Sequence, residues 1–235
     1  MKAFLLAAGL GTRLRPVTLT TPKCLVPVCG KPMLFWWLKL FEKYRINEVL
    51  INLHHLSDKV RDYIDKNAGS ISFTFFEEEV LLGSAGTLRE NKQFVTGEED
   101  FYIMYADNLT NCNLDAFLKF HVLQQQPFSM VLFRTDTPET KGIVELDHNK
   151  TVISFVEKPR EPKSNLANAG IYLAKPWILD LIPDKDTADI GFDLLPQVVH
   201  RISGWETGDY LTDIGSIESL AKAEKDWARV IIQNL

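Results

Sequence analysis

An unbroken apolar run at residues 3–8 leads directly into Gly9-Leu10-Gly11-Thr12-Arg13-Leu14-Arg15-Pro16. Such a run reads as a strand covered on both faces. A strand buried so early needs other strands beside it and helices over it, which narrows the chain to an α/β arrangement. The segments that follow supply both. Leu34, Trp37, Leu38 and Phe41 fall at helical spacing within residues 32–44. Residues 48–53 (EVLINL) read as a strand. Val60, Tyr63 and Ile64 share one face of a helix over 57–66, with Ser57 as its N-cap. A strand at 71–76, a helix at 87–94 and a buried strand at 101–105 continue the alternation. The pattern predicts a Rossmann-like, three-layer, mixed and mainly parallel sheet with helices on both faces.

Beyond a polar-capped helix over 113–126 the rhythm changes. Residues 129–135, 142–147 and 152–156 read as short strands, with Asn149-Lys150 placed as a hairpin turn. A strand at 169–174, helical segments at 177–181 and 192–202, a strand at 210–214 and a closing helix at 217–230 complete the chain. No repeat, low-complexity tract or linker divides it. The expectation is a single domain over 1–235, whose halves 1–112 and 113–235 differ in rhythm.

Composition excludes several functions. Lys plus Arg is 26 against 31 Asp plus Glu, a net charge of −5. That leaves no general basic footprint for nucleic acid or an anionic membrane. No apolar run approaches the roughly 20 residues that span a bilayer. The N-terminal run is too short for a signal peptide and leads into no small-residue cleavage site. The three cysteines, Cys24, Cys29 and Cys112, form no CxxC pair and no disulfide framework. Free thiols and a cytoplasmic location are expected.

The passage after the first strand carries the chemistry. Its place is where open α/β sheets hold ligands. Gly9 and Gly11 permit close backbone approach, and Arg13, Arg15 and Lys23 add positive charge, which together suit a polyphosphate. It is not a Walker A loop, which needs GxxxxGK[ST]. A dinucleotide fingerprint would want a small residue where Leu14 stands.

Gly9-x-Gly11-Thr12-Arg13-Leu14-x-Pro16, with Pro22-Lys23 and Leu25-x-Pro27, resembles the signature of the sugar-1-phosphate nucleotidyltransferases, also called nucleoside-diphosphate-sugar pyrophosphorylases. Leu82-Gly83-Ser84-Ala85-Gly86 resembles their LGTAG base-binding segment. Tyr105-Ala106-Asp107 resembles the strand end bearing a metal-binding aspartate. Phe155-Val156-Glu157-Lys158-Pro159 resembles the FxEKP sugar-phosphate segment, Asn168-Ala169-Gly170-Ile171-Tyr172 the NAGIY segment, and Asp213-Ile214-Gly215 the late metal-binding aspartate. All occur in the family order.

The resemblance implies Mg²⁺ shared by Asp107 and Asp213. Arg13 is implied on the departing pyrophosphate, Lys23 on the triphosphate and Lys158 on the sugar phosphate. It implies nucleotide contacts from Ala7, Ala8, Gly9, Gly11, Thr12, Arg13, Lys23, Glu79, Gly83, Ser84 and Gly86. Gly142, Glu157, Lys158 and Asn168 are implied on the sugar-phosphate side. The overall run is most similar to the short guanylyltransferases for mannose-1-phosphate or manno-heptose-1-phosphate. A uridylyltransferase acting on a sugar such as muramate-1-phosphate, or a non-catalytic subunit that senses nucleotide-sugars, stands as the alternative. Homodimers are common in that family, although no residue here fixes an oligomeric state. For a chain ending at Leu235, no appended β-helix acyltransferase is expected.

Ordinary structural roles stand beside these. Asp107 could cap a loop and Asp213 could face the following helix. Glu157-Lys158 could be a solvated pair and Asn168 a turn residue. The Glu77-Glu78-Glu79 triplet and His54-His55 read as solvated strand ends. Asn111 stands where a second acidic residue is common in guanylyl members, which leaves that position without a charge for metal.

Overall fold

The computed structural model describes residues 1–233. The chain runs β1 (Lys2–Leu6), β2 (Pro27–Val28), β3 (Lys31–Pro32), α1 (Met33–Tyr44), β4 (Glu48–Leu53), α2 (Ser57–Asn67), β5 (Ser72–Glu77), α3 (Gly83–Glu90) and β6 (Phe101–Tyr105). It continues through β7 (Asn108–Thr110), α4 (Leu114–Gln124), β8 (Phe128–Arg134), β9 (Gly142–Leu146), β10 (Val152–Glu157) and β11 (Leu166–Ala174). It closes with α5 (Leu195–Val198), β12 (Ile202–Glu206), β13 (Leu211–Asp213) and α6 (Ile217–Gln233). The central sheet has the order β10-β9-β11-β6-β1-β4-β5, with β8 on β11 and β12 on β8. It is the mixed sheet with helices that the alternation predicts.

The chain divides into two compact units. One holds residues 1–4, 81–104 and 113–208. Its hub is β11, antiparallel to β6, β8 and β9, with β12 parallel to β8. The β9–β10 turn forms at Asn149-Lys150 as expected. Asp147 Oδ1 accepts the N–H groups of Asn149 and Thr151, and Lys150 takes φ 67°. The other unit holds residues 5–80, 105–112 and the described residues from 209 onward. In it β4 lies parallel to β5, and β7 pairs antiparallel with β13. Helix α1 buries Met33, Leu34, Trp37, Leu38, Leu40 and Phe41 and ends at Arg45 in the left-handed region. Ile46 N–H returns to Phe41 O, closing a Schellman motif.

Several expected boundaries move, each for a tertiary reason. The helix placed at 87–94 begins at Gly83 and stops at Glu90, with a 3₁₀ turn at Lys92–Val95. Its first turn is capped by a segment about a hundred residues away, which leaves no local signal. Ser57 does not cap α2: Leu56 stands at the cap, and the Ser57 hydroxyl donates to Glu77 Oε1 at 2.5 Å. The helix placed at 192–202 shrinks to a π-type turn and α5, because Ile202 opens β12 against β8. Strand β7, three residues long, escaped the periodicity altogether. The three cysteines are free, and burial pushes the thiols of Cys24 and Cys112 up to about 12. Among the described residues no helix is long and apolar enough to cross a membrane.

Candidate active site

The loop after β1 folds into three 3₁₀ turns, Thr12–Leu14, Val17–Leu19 and Lys23–Leu25. Leu14 stakes it down. That side chain is fully buried with Val26, Val28, Met33, Leu109, Ile214 and Trp227. Its neighbours Thr12, Arg13 and Arg15 are left exposed. Gly11 sits at φ +60°, and a methyl group there would lie 2.9 Å from Thr18 Cγ2. The Thr18 hydroxyl donates to Gly11 O at 2.7 Å. Gly9 is different: it has no neighbour within 4 Å of such a methyl and no positive φ. Ala7 is half-buried, Ala8 buried.

The same apolar cluster carries Leu109 and Ile214. Those residues belong to the β7–β13 corner, which brings two distant aspartates together. Asp213 lies opposite Asn108 in the ladder, and Ile214 N–H donates to Asp107 O at 3.0 Å. Asp107 and Asp213, 106 positions apart in sequence, therefore flank one corner. Lys23 Nζ pairs with Asp107 Oδ2. Asp213 Oδ1 accepts Gly215 N–H at 2.9 Å. A methyl on Gly215 would lie 2.5 Å from Asp213 Oδ1 and 3.1 Å from Arg13 Nη2, so the guanidinium belongs to this corner too. Two cations from the loop after β1 and two carboxylates from distant strand ends thus stand about one corner.

Among the described residues no three His, Cys, Asp or Glu side chains gather as a metal cage. Two hard, partly exposed carboxylates fit Mg²⁺, which keeps several waters and leans on its substrate for the remaining oxygens. Asn111 is committed elsewhere: its Oδ1 accepts Tyr210 N–H at 2.9 Å. The bond from Gly215 N–H to Asp213 is an Asx turn ahead of α6, and the N–H that meets a side chain at the start of that helix is Ser219 N–H, donated to Ser216 Oγ at 3.1 Å.

The LGSAG segment lies in the other unit. Gly83 takes φ +78°, and a methyl there would strike Ala188 O at 2.4 Å. Ala188 O accepts the N–H groups of Ala85 and Gly86 at 2.8 and 3.0 Å, and Ala188 N–H returns to Leu82 O at 2.8 Å. Ser84 Oγ donates to Asp189 Oδ1 at 3.1 Å and accepts Ile190 N–H at 2.8 Å. Residues 188–190 thus clamp the start of α3. Sequence reasoning missed this clamp, as nothing in Ala188-Asp189 marks it.

The sugar-phosphate candidates share that unit. Glu157 ends β10, and its carboxylate lies over two bare backbones. A methyl on Gly142 would meet its Oε2 at 2.7 Å, one on Gly191 at 2.8 Å. Burial pushes the Glu157 carboxyl above its ordinary range, Lys158 opposes the shift, and Asp189 adds to it. Lys158 takes φ 48°, a left-handed conformation unusual for lysine, fixed by its N–H bond to Lys141 O at 2.9 Å. Its ammonium is 3.7 Å from Glu157 Oε1 and mostly exposed. Asn168 is held at both ends: Nδ2 donates to Tyr172 Oη at 2.6 Å and Oδ1 accepts Gly170 N–H at 2.9 Å.

The acidic triplet is not uniformly solvated. Glu77 and Glu79 are exposed, but Glu78 is buried, with Asn52 Nδ2 donating to its Oε1 at 2.8 Å. His54 is half-buried rather than solvated, its Nδ1 2.7 Å from Glu78 O, while His55 is exposed. The one polar residue late in EVLINL was the available signal for this network.

A model of the nucleotidyl transferase family matches residues 2–229. The chain belongs to that family. Among its members, a protein of Synechocystis named UTP–glucose-1-phosphate uridylyltransferase is 32 % identical over 85 % of this chain and 55 % of its own length. The Drosophila melanogaster protein named mannose-1-phosphate guanylyltransferase catalytic subunit beta is 30 % identical, over 85 % of this chain and 55 % of its own. The chain therefore spans about half the length of these two family members. A crystal structure of HddC from Yersinia pseudotuberculosis complexed with GMP-PN superposes with a TM-score of 0.81 at 25 % identity, covering 96 % of this chain and 99 % of that one.

Proposed function

We propose that the chain transfers GMP from GTP to a manno-configured sugar-1-phosphate, either manno-heptose-1-phosphate or mannose-1-phosphate, releasing pyrophosphate. The observation that carries this reading is the corner where Arg13 and Lys23 meet Asp107 and Asp213. Two polyanions must be brought together, and that corner supplies cations for phosphate and carboxylates for a metal. Membership in a family with guanylyltransferases, and the likeness to a structure with GMP-PN, support guanine as the base.

In the reaction a sugar-phosphate oxygen forms a bond to the α-phosphorus. The bond from that phosphorus to the bridging oxygen breaks, and pyrophosphate leaves with the electron pair. The attacking phosphate is already ionised, so no protein nucleophile is required. Arg13 holds the departing pyrophosphate. Lys23 exchanges its bond to Asp107 for the triphosphate. The exposed ammonium of Lys158 takes the sugar phosphate, with Gly142, Glu157 and Asn168 on the sugar side. The backbone of residues 7–12 borders the triphosphate, with Ala7 N–H itself given to Asn52 Oδ1, and Glu79, Gly83, Ser84 and Gly86 border the base. Mg²⁺ held by Asp107 and Asp213 would neutralise phosphate charge when bound.

The Synechocystis relative's name favours a second reading, uridylyl transfer. Pyrophosphate release should be measured with Mg²⁺ across GTP, UTP, CTP, dTTP and ATP, each with mannose-, manno-heptose-, glucose- and muramate-1-phosphates. Preference for GTP with a manno sugar supports the proposal, and preference for UTP replaces it with the second reading. Silence across the grid with nucleotide-sugar binding retained overturns catalysis in favour of a sensing subunit.

A further inference from the structure

Asn52 lies late in the apolar strand β4 and is 5 % exposed. A buried amide must find partners for both its ends. Its Oδ1 accepts Ala7 N–H at 2.6 Å, and its Nδ2 donates to Glu78 Oε1 at 2.8 Å. The chemistry dictates that orientation: the reverse would set donor against donor at Ala7 and acceptor against acceptor at Glu78. Ala7 is the first residue after β1, Glu78 the first after β5, and β4 stands between those strands. Glu78 is itself pinned to β4 twice more. Its N–H donates to Leu53 O at 2.8 Å, and its carbonyl lies 2.7 Å from His54 Nδ1, which must carry the proton since a carbonyl only accepts. One side chain therefore ties the root of the glycine loop to a fixed post on the sheet.

We infer that Asn52 is a positioning residue for the nucleoside triphosphate, its amide setting the Ala7 backbone that opens the phosphate loop while the side chain itself stays out of reach of ligand. This rests on the reading of residues 7–13 as the nucleotide loop. Small displacements of a preorganised loop are costly to binding and rate, on the order of 10²-fold for about 1 Å.

The test exchanges the two polar groups. Asn52→Asp sets two carboxylates together in a buried place, where like charges repel. Assayed at pH 8, it should raise the KM for the preferred triphosphate on the order of 10–10²-fold and move the sugar-phosphate KM by less than about twofold. The isosteric double variant Asn52→Asp with Glu78→Gln restores the pattern: the carboxylate now at position 52 accepts from both Ala7 N–H and the amide now at position 78. It should recover most of the lost affinity.

An Asn52→Asp enzyme that folds and keeps its triphosphate KM overturns the inference. So does an equal rise in both KM values, or a double variant that folds without recovery. Should Asn52→Asp not fold, Asn52→Ser, whose hydroxyl is too short to reach both partners, takes its place under the same criteria. Triphosphate Kd by calorimetry separates the two readings. Wild-type protein that binds triphosphate without turnover defeats the proposed function, and the variants' Kd values then decide the inference alone.

Discussion

The loop at residues 9–23 and the segment at 82–86 are both glycine-bearing and both proposed to hold nucleotide, yet they are held by opposite means. The first is anchored by bulk: Leu14 and Val26 are driven into an apolar cluster that also contains Leu109 and Ile214. The second is held by missing bulk, since Gly83 and Gly86 let residue 188 hydrogen-bond the start of α3. Glycine therefore means two things here. At Gly83 and Gly142 the chain itself occupies the space a methyl would take, which is a structural reason for glycine. At Gly9 no atom of the described residues lies within 4 Å of such a methyl, so the chain itself gives no structural reason for glycine there.

The largest effects fall on the anchored corner. Asp107→Ala and Asp213→Ala should each lower Mg²⁺-dependent turnover by 10²–10³-fold or more, on the order seen for losing one preorganised electrostatic contact. Melting temperature should stay close to wild type, because both carboxylates are partly exposed and the apolar cluster beneath is untouched. Near-normal turnover in either variant would remove that residue from the metal site. Leu14→Ala should act through stability instead, costing about 2–5 kcal/mol as a buried leucine cavity does. A chemical denaturation midpoint unchanged by that variant would show that the loop is not staked by Leu14.

The sequence made the carriers of this corner legible and left its geometry dark. Apolar spacing placed α1 and β4, and Asn113 announced its own cap by accepting Ala116 N–H. Arg13, Lys23, Asp107 and Asp213 stood out as charges beside strand ends. That the last two share a corner depends on the pairing of β13, expected at 210–214, with β7, a three-residue strand too short for any period. The clamp at 188–190 and the amide of Asn52 are pairings between distant backbones, and such pairings leave little local mark. Glu78 shows the limit: three glutamates in a row look alike, and only the fold buries the middle one.

The glycine contrast can be broken by two single methyl additions. Gly83→Ala asks an alanine to adopt φ +78° and to press against the backbone of Ala188, its carbonyl oxygen first. It should cost about 2–3 kcal/mol and displace the start of α3. Gly9→Ala has room and an ordinary φ, so its melting temperature should match wild type while its triphosphate KM rises. Equal stability loss in the two variants would erase the distinction. A Gly9→Ala enzyme with unchanged KM would place the ligand elsewhere.

The smallest effects compare two carboxylates, one from each unit, whose titrations run in opposite directions. Burial raises the Glu157 carboxyl from its ordinary 4.5, with Lys158 opposing. The proton is thus held more tightly in the folded state, so this group favours folding at acid pH, and its contribution is lost as pH rises through the raised value. Glu77 is lowered, first by the Ser57 hydroxyl and then by Arg61. Its contribution is present above the ordinary value and is lost as pH falls. Replacing each by glutamine removes the titration. Measured from about pH 4 to pH 8, wild type should lose stability relative to Glu157→Gln as pH rises, and gain it relative to Glu77→Gln. The second trend should be slight and should fade in salt, since Glu77 is half exposed and its partner Arg61 lies at the surface. Parallel trends in the two variants would mean that the strand end at Glu157 is as wet as the one at Glu77. The two bare glycine backbones beneath Glu157 would then serve only to make room for a solvated side chain.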